Sequence, residues 1–319
     1  MILFGELCLF RYKDYLDEIP VIAAPLADYT DYPFRYVMRK FFQGLIFTEM
    51  ISLNALDYDD EKTWKMVETA PQEKGPIGIQ VFGGKADVAG RAVSKLKRLS
   101  PQVIDINFAC PVRKVIKIGA GAGVLNEPER GLEIVRAVKE NFDGEVSVKL
   151  RLGVQSDTAE YFLERLVHEG ISAVTIHGRT VKQMYSGIAD RRRTLELAKQ
   201  FPIPIVVSGD VFSSDDVNEI LEGGAEGVLV ARGMIGRPWF LTDAVSASRK
   251  EAPLPVPKIS EVALMHMNKI IECYGDRGLS RFRKHLAGYA KGFHSAGKIR
   301  HELVTAKSFI EVEKILKRL

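Results

Sequence analysis

Short runs of β-branched and other apolar residues alternate with helical segments along the first 240 residues of this chain. A strand followed by a helix, repeated eight times over about this length, is the pattern of a (β/α)8 barrel. The runs are continuously apolar rather than alternating, which is typical of parallel strands whose two faces are both buried. We therefore predict an α/β protein with a (β/α)8 TIM barrel, whose strands lie at residues 21–24, 45–48, 77–82, 103–107, 146–150, 173–177, 205–208 and 227–231.

A proline-rich segment separates this repeat from the rest of the chain. The segment EAPLPVPK at residues 251–258 has three prolines within five residues, which disfavour a helix and indicate a linker. The sequence therefore predicts a catalytic barrel over residues 1–250, this linker, and a C-terminal all-helical domain over residues 259–319. Helical periodicity predicts helices at residues 86–99, 128–141, 159–169, 194–201, 214–222, 259–274, 280–294 and 302–319.

The positive charge of the chain is concentrated in this last segment. Residues 255–319 contain 13 Lys and Arg against 6 Asp and Glu, whereas the rest of the chain has 32 against 35. Such asymmetry indicates a polyanion as partner, although a solvated basic surface is the alternative interpretation.

Composition excludes several other classes of protein. The apolar stretches are far shorter than the roughly 20 residues of a membrane-spanning helix, so we expect no membrane association. The amino-terminal MILFGELCLF carries Glu6 and has no basic leader, which argues against a secretory signal. Cys8, Cys110 and Cys273 are widely spaced and form no CxxC pair, so neither a disulfide framework nor a zinc cluster is predicted. A reducing cytoplasm is the expected compartment.

Reactive or ligand-binding residues follow seven of the eight predicted strands. Active sites of such barrels lie at the carboxyl ends of the strands. Buried lysine, histidine and glutamine persist only with partners or a ligand, so a purely structural explanation of all these positions is weak. The residues are Pro25, Leu26 and Ala27 after the first strand, Gln80, Asn107 and Cys110, Lys149 and Arg151, His177 and Arg179, Ser208, Gly209 and Asp210, and Ala231 and Arg232 after the last.

Three of these positions suggest particular ligand contacts. The backbone around Gly209 and the segment 231–233 can approach a phosphate, with Arg232 as counter-charge, although glycines also serve ordinary turns. Lys149 offers a fixed cation that could neutralise an anionic reduced flavin or polarise a carbonyl, or it could pair with a carboxylate. His177 could hydrogen-bond the same ring, or it could be structural.

The role of Cys110 would distinguish between the possible reactions. A lone cysteine is most often a small buried hydrophobe, but this one follows a strand end. Arg113, Lys114 and Lys117 would depress the thiol pKa if they approached it. The thiol could donate a proton to a substrate carbon while hydride arrives at the neighbouring carbon. It could instead be a nucleophile, but no His/Asn partner pattern is evident.

Taken together, the motifs resemble the tRNA-dihydrouridine synthase family along almost the whole chain. Each motif is modest alone, but their order and number are specific. The matching stretches are residues 24–35 (APLADYTDYPFR), 48–50 (TEM), 80–83 (QVFG), 105–115 (DINFACPVRKV), 148–153 (VKLRLG) and 177–180 (HGRT) with Gln183, Tyr185, Gly187 and Asp190, then 224–227 (GAEG) on to Pro238 and Trp239, 283–286 (RKHL) and 289–292 (YAKG).

The resemblance implies an FMN-bound barrel that takes electrons from NADPH and saturates the C5–C6 bond of selected uridines in tRNA. Hydride would pass from flavin N5 to uracil C6 while Cys110, the catalytic acid, protonates C5. Asn107 and Arg151 would contact a uracil flipped out of its stack. FMN would be held by Pro25, Leu26, Ala27, Gln80, Lys149, His177, Ser208, Gly209, Asp210, Ala231 and Arg232. Arg179, Lys284, His285, Lys291 and Arg300 would bind tRNA phosphates and shape. We expect a monomer without a metal.

The chain departs from the family pattern at three places. Ser208 stands where Asn is usual, and Ala109 and Ala231 stand where Gly is usual. A methyl group is tolerated there only if φ is negative or the backbone does not press against the ligand. The arginine run 191–193 replaces a common aromatic residue, and it either contacts RNA or is simply solvated.

Two other functions remain open from the sequence. A dihydroorotate dehydrogenase-like FMN reductase of a small molecule also places Asn and Cys or Ser near the end of strand four, but it would not need the basic helices. A non-catalytic tRNA-binding module would not need Cys110 and Lys149. Flavin absorption would exclude the binding module, and tight retention on tRNA would exclude the small-molecule enzyme.

Overall fold

The computed structural model describes residues 10–68, 73–293 and 295–318. Cys8, and the last residues of two predicted helices, His294 and Leu319, lie outside the described residues. The strands are β1 (Val21–Ala23), β2 (Ile46–Phe47), β3 (Ile51–Ser52), β4 (Ile77–Phe82), β5 (Val103–Phe108), β6 (Glu145–Arg151), β7 (Ala173–His177), β8 (Ile205–Ser208) and β9 (Gly227–Val230). The α-helices are α1 (Tyr12–Glu18), α2 (Tyr32–Met38), α3 (Leu53–Asp57), α4 (Glu61–Val67), α5 (Ala86–Leu96), α6 (Arg113–Lys117), α7 (Pro128–Glu140), α8 (Ala159–His168), α9 (Arg191–Gln200), α10 (Ser214–Glu222), α11 (Phe240–Ser248), α12 (Ile259–Tyr274), α13 (Gly278–Tyr289), α14 (Ala296–Thr305) and α15 (Phe309–Leu316).

The strands form one closed parallel barrel with eight positions. β1 pairs with β2 on one side and with β9 on the other, so Ala23 lies opposite both Ile46 and Val230. β2 and the short β3 together occupy the second position of the barrel, because β2 pairs with the first residues of β4 and β3 pairs with its last residues. The remaining neighbours follow in chain order. The predicted (β/α)8 barrel is confirmed.

The inner face of the barrel changes from apolar at the amino end to polar at the carboxyl end. Phe47, Val103 and Ala173 belong to a buried cluster at the amino end. Helix α1 closes that end, where the Tyr15 hydroxyl donates to the Val21 carbonyl and accepts from the backbone N–H of Leu45, both at 2.7 Å. Two residues further along β5, β7 and β8 the inward side chains are polar, namely Asp105, Thr175 and Ser208. The strand alternation therefore gathers the polar groups at one end.

The arginine run 191–193 forms ion pairs within the protein. Helix α9 begins earlier than predicted because the Asp190 side chain accepts the N–H of Arg193 and caps it. Arg191 pairs with Asp216 at 2.9 Å, and Arg193 pairs with Asp157 at 2.6 Å. The run thereby connects α9 to the segments before α8 and within α10.

The C-terminal helices have a hydrophobic core of their own, which includes two barrel-side residues, Val37 and Trp239. Residues 251–257 connect them to the barrel without regular secondary structure and are mostly exposed. The single helix predicted at 302–319 is wrong. Helix α14 ends at Thr305, and the Ser308 side chain accepts the N–H of Glu311 to start α15. In the described part of the chain, no helix is both long and apolar enough to cross a membrane.

Two glycines let the helical part approach the barrel closely. A Cβ on Gly236 would lie 2.2 Å from the backbone carbon of Gly288 in α13, and Gly236 has a φ of +77°. A side chain at this position would both strain the backbone and separate the two parts.

Gly236→Ala is therefore expected to lower the free energy of unfolding by about 2 kcal/mol, because overpacking and a positive φ act together. Thermal or urea unfolding of the purified protein measures this effect. Gly297→Ala is the matched control, since nothing lies within 4 Å of the added Cβ. Equal stability of the two variants would contradict the close approach.

Candidate active site

A cavity of about 400 Å³ opens at the carboxyl ends of the strands. It brings together all eleven predicted cofactor residues with Cys110, Asn107 and Arg151. Its lining is Ala24, Pro25, Leu26, Ala27, Tyr29, Met50, Gln80, Asn107, Ala109, Cys110, Pro111, Val112, Lys149, Arg151, His177, Tyr185, Ser208, Gly209, Asp210, Val211, Phe212, Leu229, Ala231, Arg232 and Ile235.

Lys149 places a cation in this cavity. Its ammonium has no hydrogen-bond or ion-pair partner among the described residues, although it lines the cavity wall. Burial, followed by the positive charge of Arg151, lowers the pKa of Lys149 to about 8. Asp105 and Cys110 act in the opposite direction. No ion pair between Lys149 and a carboxylate is thus seen among the described residues, although the charge of Asp105 acts on the ammonium from a longer distance.

His177 lies beside this cation and is buried. Burial, followed by the charges of Lys149 and Arg151, lowers the pKa of His177 to about 2, so the ring is neutral. Its Nδ1 atom is buried and has no partner within the described residues. A buried nitrogen without a partner costs free energy, which a hydrogen-bonding ligand would recover.

A chain of hydrogen bonds crosses the barrel interior and ends at the Cys110 loop. Asp105 accepts from the Ser147 hydroxyl and from Nε2 of Gln80, both at 2.6 Å. Oε1 of Gln80 accepts from Nδ2 of Asn107 at 2.7 Å, and Oδ1 of Asn107 accepts the backbone N–H of Cys110 at 2.8 Å. Desolvation raises the pKa of Asp105. These hydrogen bonds fix the loop that carries Cys110 through Gln80 and Asn107, which both line the cavity.

The Cys110 thiol is protonated at neutral pH. Burial raises the pKa of Cys110, and this effect exceeds the lowering by the N–H of Val112 and by Arg151. The expected depression by Arg113, Lys114 and Lys117 is wrong, because these side chains are exposed on α6. A protonated thiol suits a proton donor better than a nucleophile.

The loops after β8 and β9 form the basic side of the cavity. Gly209 has a φ of +116° and Asp210 a φ of +52°. Asp210 accepts from Arg232 at 2.7 Å and from Arg179 at 2.6 Å. Partial burial raises the pKa of Asp210, but the hydrogen bonds from Arg179 and the N–H of Ala189 lower it by more. Asp210 therefore stays ionised and positions both guanidinium groups.

This arrangement can be compared with known proteins. The family model described as dihydrouridine synthase (Dus) matches residues 21–318. The chain belongs to the dihydrouridine synthase family. It is 33% identical over 304 residues to a probable tRNA-dihydrouridine synthase 1 of Synechocystis sp., covering 93% of this chain and 85% of the relative. It is 33% identical to a probable tRNA-dihydrouridine synthase of Helicobacter pylori, covering 90% and 88%, and 31% identical to tRNA-dihydrouridine synthase B of Pasteurella multocida, covering 88% and 87%.

Solved structures share the barrel of this dihydrouridine synthase family member at much lower identity. Morphinone reductase in complex with tetrahydroNAD has a TM-score of 0.51 at 15% identity, covering 75% of this chain and 89% of that one. At this identity the likeness shows the fold alone.

Two departures from the dihydrouridine synthase pattern fit the backbone. Ala231 has a φ of −112°, and Ala109 is not among the residues with positive φ. A methyl group at either position causes no strain. The Ser208 side chain lines the cavity, as the sequence predicts for a cofactor contact.

Two of the predicted RNA contacts are wrong. His285 is 0% exposed, so it cannot touch a tRNA phosphate. Arg179 is 2% exposed and donates to Asp210 and to the carbonyls of Ser186 and Gly187. Both side chains are thus buried by tertiary packing. Arg179 positions the loop at the cavity mouth through its hydrogen bonds.

Several residues of this dihydrouridine synthase cavity were missing from the predicted site. The guanidinium of Arg232 lies 5.1 Å from the Tyr185 ring centre and 5.5 Å from that of Phe212. Tyr29 and Met50 also line the cavity. The sequence signal for Tyr29 and Tyr185 was present, since both lie within family-like stretches, whereas Phe212 has no local signal.

Proposed function

We propose that this chain is a tRNA-dihydrouridine synthase that uses bound FMN and NADPH to reduce the C5–C6 double bond of uridines in tRNA. One observation carries the proposal. A single cavity is lined by Lys149, whose ammonium has no ion pair among the described residues, and by Cys110, whose thiol is protonated. An anion site beside a proton donor is what a hydride and proton addition requires.

The cavity residues fit a flavin mononucleotide. Nδ1 of His177, which has no partner among the described residues, and the ammonium of Lys149 would face the ring, and Gln80 lines the same cavity. Gly209 and Arg232 would hold the phosphate. FMN, when bound, supplies hydride for uracil C6 after reduction by NADPH.

The residues of the chain contribute proton transfer and positioning. Cys110 donates its proton to uracil C5, and its raised pKa keeps that proton in place until the substrate arrives. Asn107 holds the backbone of the Cys110 loop. Arg151 donates to the carbonyls of Ala109 and Met184, at 2.9 and 2.8 Å, and so joins this loop to the loop that carries Tyr185.

The helical part over residues 259–319 is the proposed tRNA-binding domain. Lys291 and Arg300 are exposed there and can reach phosphates. Lys284 is half-buried near the rim, with its ammonium 5.2 Å from the ring centre of Tyr29, a cavity residue. The barrel over residues 1–250 and a cytoplasmic, monomeric enzyme complete the proposal.

Nucleoside analysis of tRNA tests this function. Unmodified tRNA is incubated with flavin-loaded protein and NADPH, and dihydrouridine is the expected product. The controls are omission of NADPH and replacement of tRNA by orotate-type pyrimidines. Reduction of the free pyrimidine without reaction on tRNA would indicate the small-molecule reductase. Binding of tRNA by a protein that takes up no flavin would indicate the binding module.

A pH dependence follows from Lys149. With a pKa of about 8, the ammonium is present below pH 8 and is lost as the pH rises. We expect the affinity of the apoprotein for FMN to fall about tenfold between pH 7 and pH 9. Fluorescence titration of FMN measures this change. Lys149→Arg keeps its charge and should flatten the profile, whereas an unchanged slope in that variant would assign the dependence to another group.

A further inference from the structure

A second cluster of ligand-type side chains lies where the helical part meets the barrel. Asp31 caps α2 after the first barrel strand, His266 lies on α12 and His285 on α13. All three residues are buried, and one potential metal-ligand atom from each lies within 4.8 Å of the others. None of the three lines the flavin cavity.

Each of these residues has a buried polar atom without a partner among the described residues. These atoms are Oδ2 of Asp31, Nε2 of His266, and both ring nitrogens of His285. A buried polar atom without a partner costs about 1 to 3 kcal/mol. Three neighbouring side chains with such atoms, of which one ligand-type atom each lies within 4.8 Å of the others, are too costly to be incidental. The cluster therefore indicates a ligand that accepts several lone pairs at once.

Neighbouring groups contact the other polar atoms of His266 and Asp31. The other nitrogen of His266, Nδ1, lies 3.2 Å from the Tyr289 hydroxyl. The other oxygen of Asp31 accepts the N–H of Phe34 at 3.3 Å. A histidine whose Nδ1 is held by a neighbour presents Nε2 as a ligand, which is the usual arrangement around a bound metal.

We propose that Asp31, His266 and His285 bind one divalent transition-metal ion of the zinc class. Two imidazoles and one carboxylate are borderline ligands that suit zinc, and calcium or magnesium would require more oxygens. Donors at about 2.1 Å from one zinc ion lie about 3.4 Å apart, so the side chains must close by at most about 1.4 Å. A water molecule would complete the tetrahedron. This proposal departs from the sequence prediction of a protein without a metal.

Such an ion would fasten the helical part to the barrel. The rings of Phe34 and His266 stack with centres 5.3 Å apart, and Tyr29 meets His285 at 5.2 Å, so the site is enclosed by aromatic side chains. Tyr29 also lines the flavin cavity, and Lys284 is the neighbour of His285. The ion would thereby fix the position of α13 relative to the cavity rim. The proposal does not depend on the flavin or on tRNA.

The test is metal analysis of the purified full chain. After production in zinc-supplemented medium and removal of loosely bound ions, we expect about one zinc ion per chain. Protein produced in metal-depleted medium should bind cobalt(II) with the visible absorption of a tetrahedral ion. A hundredfold excess of zinc over Kd should raise its Tm by about 4 °C.

Variants locate the ion. Asp31→Asn, His266→Gln and His285→Gln should each lose the zinc and the cobalt absorption. His168→Gln and His301→Gln are the matched controls, because both histidines are exposed, and they should keep both signals. The wild-type measurements stand even if a variant fails to fold. Wild-type protein that binds neither zinc nor cobalt, or zinc that persists in all three cluster variants, would overturn the proposal.

Discussion

Replacement of Cys110 by alanine is expected to lower the rate of dihydrouridine formation by about 10²- to 10⁴-fold, the usual loss when a positioned general acid is removed. The thiol lies in the cavity, and burial raises its pKa, so it is the group that holds a proton there at neutral pH. Single-turnover reduction of tRNA by pre-reduced enzyme, followed by nucleoside analysis, measures the rate directly.

The flavin half of the reaction should survive this change. Flavin content and the rate at which NADPH bleaches the flavin are expected to stay close to those of wild type, since neither requires the thiol. Cys273→Ala is the matched control, because Cys273 is an exposed cysteine on α12. A Cys110→Ala enzyme that forms dihydrouridine at the wild-type rate would remove Cys110 from the mechanism.

Asp210→Asn is expected to destabilise the protein by about 3 kcal/mol, because it leaves the buried guanidinium of Arg179 without a counter-charge. Asparagine tolerates the positive φ of Asp210, so the change removes charge without adding backbone strain. Arg232 loses the same partner. We therefore expect weaker FMN binding as well as a lower midpoint in urea unfolding.

Asp57→Asn is the control for this experiment. Asp57 also pairs with an arginine, Arg91, but that guanidinium is 55% exposed. Water can replace its partner, so the unfolding midpoint should hardly change. If both variants lost the same stability, the burial of Arg179 would have no energetic consequence.

The barrel could be predicted from the sequence because its signals are local. The run 205–208 is apolar and β-branched, and it forms β8 with the predicted bounds. Ser213 and Asp216 form a capping box, and α10 covers the predicted residues. The break near Ser308 was missed because the apolar periodicity continues across it, and only the cap shows where α15 starts.

The candidate site was predictable as a location but not as a set of partners. Strand ends identified Lys149 and His177 as cavity residues, since the barrel geometry alone brings them together. Whether Arg179 and His285 are exposed or buried depends on neighbours that lie far away in the sequence. Arg179 pairs with Asp210, and His285 packs against Phe34, with ring centres 4.8 Å apart. Neither contact leaves a local pattern.

The hydrogen-bond chain through the barrel has a fixed direction. Both oxygens of Asp105 accept hydrogen bonds, Oδ1 from Ser147 and Oδ2 from Gln80, so Gln80 turns its NH2 group toward Asp105 and its oxygen toward Asn107. Asn107 must then turn its own oxygen toward the backbone of the Cys110 loop. Two amides of nearly symmetric shape are thus oriented by one carboxyl group. The position of the Cys110 thiol therefore depends, through this series of hydrogen bonds, on Asp105, which does not line the cavity.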